Sequence, residues 1–137
     1  KITMKQIIAY TDGSAVVSGA NKGRGGYGAF FPDFYGKPKG LHEGFLYTKT
    51  GRTEMHALLS AINAFDWKTD AADEHVMLTV YSDSQYVVKA FTKEKNPVAK
   101  AYLMQDPHIV GNAMADILAD RWRLGINLKH DLNKDQL

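Results

Sequence analysis

Residues 5–11 (KQIIAYT) form an apolar, β-branched and aromatic run of the kind that makes a buried strand, and the run stops abruptly at Asp12 and Gly13. Beyond a loop of small residues, 26–31 reads as a second strand and 41–47 as a third, with Gly36, Pro38 and Gly40 supplying the turn between them. Connections this short predict an antiparallel meander. The period then changes: from 53 to about 65, apolar residues at 55, 58, 59, 62 and 65 follow helical spacing, with Thr53 as the N-cap. Residues 76–81 read as a buried strand and 84–91 as a short helix. Because a helix separates it from the meander, the fourth strand is predicted to lie parallel to the first. A last helix over 112–124 places Met114, Ile117, Leu118 and Trp122 on or near one face, and the polar tail from Gly125 is expected to fray. The pattern predicts a mixed sheet of about four or five strands with helices packed on it.

A chain of 137 residues, 45% hydrophobic, suffices for one packed core, so a single domain over 1–137 is expected. The absence of cysteine excludes disulfides, thiolate metal sites and a cysteine nucleophile, and agrees with a reducing compartment. No apolar stretch approaches the roughly 20 residues that span a bilayer, and no signal-peptide pattern opens the chain. A soluble, cytoplasmic protein without a membrane partner is expected, as a monomer. Its net charge of +2, from 17 basic and 15 acidic residues, is too balanced for a purely electrostatic nucleic-acid binder. The lysines and arginines at 22, 24, 37, 39, 49, 52, 89, 93, 95 and 100 fall mostly in connecting or surface segments, which suits a solvated surface and a phosphate-binding face equally.

The acids change the picture. "YTDGS" at 10–14 is echoed by "YSDSQ" at 81–85: each time a strand runs into Tyr, a hydroxyl residue, then Asp. If the two strands are parallel neighbours, Asp12 and Asp83 emerge side by side at the edge where open α/β sheets place ligands. Glu54 opens the first helix and Asp116 lies in the first turn or so of the last, and either could face the same spot. Taken singly, each acid has an ordinary alternative: Asp12 in a hairpin turn, Asp83 as a helix cap, Glu54 complementing a helix N-terminus, Asp116 as a solvated helix residue. Carboxylates about 4 Å apart repel by roughly 4 kcal/mol per pair at an effective dielectric near 20, so a cluster of four needs cations. Two Mg²⁺ ions suit such a set, with Mn²⁺ as a substitute, and a pair so held would serve phosphoryl displacement. Zinc fits less well, since the histidines at 42, 56, 75, 108 and 130 show no ligand spacing.

Four blocks in order, "YTDGS" with "NKGRGGYGA", "TEMHALLSAI", "YSDSQYVVKAF" and "GNAMADILA", give the chain a resemblance to type 1 ribonuclease H. The resemblance implies an α/β (mixed α+β) ribonuclease H-like fold, a mixed five-stranded sheet with helices on both faces. It also implies an endonuclease that cuts the RNA strand of RNA/DNA hybrids by a two-metal-ion mechanism, leaving 5′-phosphate and 3′-hydroxyl ends. By the same resemblance Asp12, Glu54, Asp83 and Asp116 match the metal-binding acids, and Asn21 and Gln85 match positions that touch the hybrid. Gly13, Ser14 and the glycines of 23–28 would let backbone approach the RNA strand and read its 2′-hydroxyls. A non-catalytic hybrid-binding module, or a ribonuclease H-like resolvase, is the alternative.

Three departures stand out. The family's histidine before the last helix has one candidate here, His108, eight residues before Asp116 and about two residues closer than usual. Asp83 and Asp116 are 33 residues apart, roughly half the usual separation, and the segment from about 92 to 107 is too short for the expected two helices, basic protrusion and fifth strand. Either the variant is truncated or residues are omitted, and a start at Lys1 favours omission. Where the family often has asparagines before the glutamate, this chain has Thr50, Gly51 and Arg52; Arg52 could hold a phosphate.

Overall fold

The structure, a computed structural model, describes residues 4–65, 75–106 and 108–137. Strands β1 (Met4–Ala15), β2 (Gly25–Phe34) and β3 (Lys37–Phe45) form the expected meander, followed by α1 (Thr50–Asn63), β4 (His75–Ser82), α2 (Gln85–Lys93), β5 (Ala99–Leu103) and α3 (Val110–Ala119). Short 3₁₀ turns at Asp120–Leu124 and Lys134–Gln136 complete the chain. The five strands are ordered β3-β2-β1-β4-β5, with β1–β4 and β4–β5 parallel.

Alternation along β1 and β4 buries Ile7, Ala9, Val76, Leu78 and Val80, which meet Leu58 and Ala61 of α1 and Val87 and Phe91 of α2. The opposite face receives α3, which lies over β1, β2 and β3. Small residues make that contact close: a Cβ on Gly28 would stand 2.4 Å from the Ala115 carbonyl oxygen, and one on Gly26 2.9 Å from that of Ala119. Gly25, Gly26 and Gly28 are therefore buried. The expectation that these three open backbone to a nucleic-acid strand is corrected: Gly26 and Gly28 face the last helix, and Gly25 lies against Ser14 and Ala15.

Other expectations also shift. A fifth strand does exist within the short segment, because five residues after a tight connection at Glu94 to Val98 suffice to pair with β4 from Leu78–Ala99 to Ser82–Leu103. Helix α1 starts three residues early: Lys49, with extended φ and ψ, is the N-cap, and the Thr53 hydroxyl donates to the Thr50 carbonyl from inside the helix (2.8 Å). The tail is tied down rather than frayed. Leu46 N–H donates to the Lys129 carbonyl, Lys129 N–H to that of Gly44 and Leu132 N–H to that of Tyr47, so it runs along the end of β3. No helix among the described residues is long and apolar enough to cross a membrane.

Candidate metal centre

The last parallel pair of the β1–β4 ladder is Thr11–Ser82, so Asp12 and Asp83 lie at one level, each the first residue past that ladder. Beyond this pair β1 continues against β2, with Asp12 opposite Gly28 and Gly13 opposite Tyr27, which removes the hairpin-turn reading of Asp12. The helix-cap reading of Asp83 also goes, since the Ser84 hydroxyl accepts from Val87 N–H and caps α2. Glu54 is brought in by Gly13. An added Cβ there would fall 2.5 Å from the Glu54 nitrogen, so only glycine lets α1 settle this near β1.

The result is a group in which Asp12, Glu54 and Asp83 each offer a carboxylate oxygen, all within 4.8 Å of one another. Asp12 and Glu54 are buried, and Asp83 opens to solvent. Asp116, exposed in the second turn of α3, lies outside that triplet but near enough for its carboxyl group to push the pKa values of Asp12 and Asp83 upward. Burial above all, then the charge of Asp83, raises the pKa of Asp12; a hydrogen bond from Gly13 N–H opposes this. Glu54 is raised further, by burial and then by Asp12 and Asp83. Burial also raises Asp83. Among the described residues no lysine or arginine pairs with any of the three, and Glu54 Oε2 is buried without a hydrogen-bond partner. Oxygen donors alone, crowded, part-buried and lacking a counter-charge, fit hard divalent cations.

The other predicted residues are placed around this centre. Ser14 donates to Asp120 (3.3 Å), Asn21 is exposed in the β1–β2 loop, and Gln85 is exposed at the first position of α2. His108 is exposed before α3, its N–H held by the Asp106 carboxylate at 2.9 Å. Arg52 lines a cavity of about 460 Å³ with Lys49, His56, Leu59 and Tyr86.

Sequence reasoning missed Asp131. Its side chain, only 4% exposed, accepts from Arg52 (2.8 and 3.0 Å), from the Thr48 hydroxyl (2.6 Å) and from His56 Nε2 (3.1 Å). The Arg52 guanidinium, aided by Thr48 and His56, holds this carboxyl well below the usual range, against the opposing pull of burial. The available signal was Arg52 and His56, one turn apart on α1 with no acid on their own helix face to meet them.

A profile of the RNase H family matches residues 4–107. The chain belongs to the RNase H family. Among curated RNases H it is 36% identical over 90 residues to the ribonuclease H of Salmonella arizonae and to that of Salmonella newport, covering 66% of this chain and 51% of each relative. The chain thus spans about half the length of the curated RNases H it matches. Among solved RNases H, LC9-RNase H1, a type 1 RNase H with the type 2 active-site motif, superposes with a TM-score of 0.65 at 15% identity over 91% of this chain and 75% of that one. LC11-RNase H1, solved in complex with an RNA/DNA hybrid, gives 0.61 at 21% identity over 83% and 94%. These two establish the RNase H fold for this chain, including the five-stranded mixed sheet.

Proposed function

We propose that this chain is a type 1 ribonuclease H, an endonuclease that hydrolyses the RNA strand of RNA/DNA hybrids and leaves 5′-phosphate and 3′-hydroxyl ends. The observation that carries it is the convergence of Asp12, Glu54 and Asp83 within 4.8 Å, with Asp116 beside them. These four would hold two Mg²⁺ ions, or Mn²⁺ in their place. Bound there, the ions supply Lewis acidity for an in-line displacement at phosphorus. Asp12 and Glu54 keep the centre rigid, because burial and the packing of Gly13 on α1 leave their carboxylates little room. Asp83 and Asp116, being exposed, face the substrate side. His108, on the exposed turn before α3, is suited to moving a proton at its ring. Asn21, Gln85, Gly13 and Ser14 would contact the hybrid, and the outer face of Arg52, fixed from behind by Asp131, would meet a backbone phosphate.

Incubation of labelled RNA/DNA hybrid, duplex RNA and duplex DNA with the protein, in Mg²⁺ or EDTA, tests the reading. Metal-dependent cutting of the hybrid's RNA alone is expected. Cutting of branched DNA instead, or hybrid binding without cutting, would overturn it.

A further inference from the structure

Because α3 lies over β1, β2 and β3, the same face of β5 is left at the open edge of the sheet. Across that face Tyr10, Tyr81 and Tyr102 occupy one register row. Tyr10 stacks on Tyr81 with ring centroids 5.6 Å apart, and Tyr81 meets Tyr102 at a tilt of 36°, centroids 6.1 Å apart. Tyr10 and Tyr81 each precede a clustered carboxylate by two residues, Asp12 and Asp83 respectively. At about 3.3 Å per residue and about 4.8 Å between strands, the Tyr102 backbone lies roughly 8 Å from that of Asp83. The row thus runs from the metal centre to the sheet edge.

Tyr102 ends the row and is 47% exposed. It borders a cavity of about 270 Å³ around the edge of β5, in which Phe91, Ala99 and Ala101 supply apolar surface and Lys95, Asn96 and Lys100 supply polar groups. Asn96 Oδ1 accepts from Val98 N–H and Ala99 N–H, both at 2.9 Å, so the amide nitrogen keeps its two donors for another partner. Among the described residues, no acid lines this cavity. An aromatic ring, an apolar floor, amide donors and two cations together match a nucleotide: the base stacks on the ring and the phosphates meet the lysines.

We propose that the β5-edge cavity binds one nucleotide of a single-stranded extension running on from the hybrid. The proposal rests on the nuclease reading for its direction of travel. The test uses Asp83→Asn protein in Mg²⁺, with anisotropy titrations of a blunt hybrid and of hybrids carrying a tail of about six nucleotides on either end of either strand. One tail should tighten binding about tenfold, the scale of a base stacked on an aromatic ring. Tyr102→Ala should abolish that gain and Tyr102→Phe should keep it, while Lys95→Gln with Lys100→Gln should shrink it and flatten its salt dependence. No gain from any tail, or a gain indifferent to Tyr102→Ala in protein whose circular dichroism is unchanged, overturns the proposal. Cleavage of blunt hybrid by the unsubstituted chain is scored separately. Oligouridylate binding in EDTA reads the cavity alone: binding lost in Tyr102→Ala supports the proposal even if the nuclease reading fails, and binding indifferent to that change counts against it.

Discussion

Asp12 and Asp83 are the first residues past the final pair of one parallel ladder, Thr11 with Ser82, and their carboxylates meet within 4.8 Å. The end of one parallel ladder thus creates a charge problem that a bound cation resolves.

Asp83→Asn removes an acid from the centre with little change in volume. Cleavage of hybrid should fall by a hundredfold or more, on the order expected for loss of one electrostatic contact to the transition state, while hybrid affinity changes little. Single-turnover rates and anisotropy on the same preparation check this. Unchanged turnover would remove Asp83 from the site.

Divalent cation should stabilise the fold. Ligand at about a hundred times its Kd adds about 2.7 kcal/mol, which for a domain of this size raises Tm on the order of 10 °C. Asp12→Asn should raise the Tm in EDTA, by relieving repulsion, and blunt the response to Mg²⁺. A Tm indifferent to millimolar Mg²⁺ would contradict the centre.

The pH dependence in EDTA has a definite sign. Asp12, Glu54 and Asp83 have folded-state pKa values above their unfolded ones, so the folded state holds more protons and its stability declines as pH rises from about 4.5 through neutrality. Urea denaturation should give a lower unfolding free energy at pH 8 than at pH 5.5. Saturating Mg²⁺ should erase the difference.

Asp131 has the opposite sign. Its depressed pKa contributes stability that is complete above the ordinary carboxylate range and lost as pH falls below about 4. Asp131→Asn should cost about 1.5–3 kcal/mol at pH 7, the scale of hydrogen bonds to a charged group, and should flatten the acid limb of the stability curve. Chemical denaturation between pH 2.5 and 7 measures both.

Gly28→Ala would set a methyl group 2.4 Å from the Ala115 carbonyl oxygen and 2.7 Å from the Ala119 nitrogen, so α3 must move and carry Asp116 with it. Stability should fall by about 1–3 kcal/mol, with weaker Mg²⁺ binding by calorimetry. Gly40→Ala meets only the far end of the Leu118 side chain, at 3.1 Å, and should spare metal binding.

The sequence by itself determined the kinds and order of the elements apart from β5, since periods of two and 3.6 are local properties, and it marked the two aspartates because "YTD" and "YSD" repeat where the paired strands part. The family's motif blocks placed Glu54 and Asp116 near them. Only the tertiary structure decided what depends on distant chain segments meeting. It extended β1 past Asp12, because β2 continues to pair there after β4 has ended. It buried Gly26 and Gly28 under α3, although their sequence context matches a loop as well as a helix contact. It also joined Asp131 to Arg52 across 79 positions, a pairing without any period, which arises because the tail's backbone hydrogen-bonds along β3 and carries a carboxylate to two unmatched donors on α1.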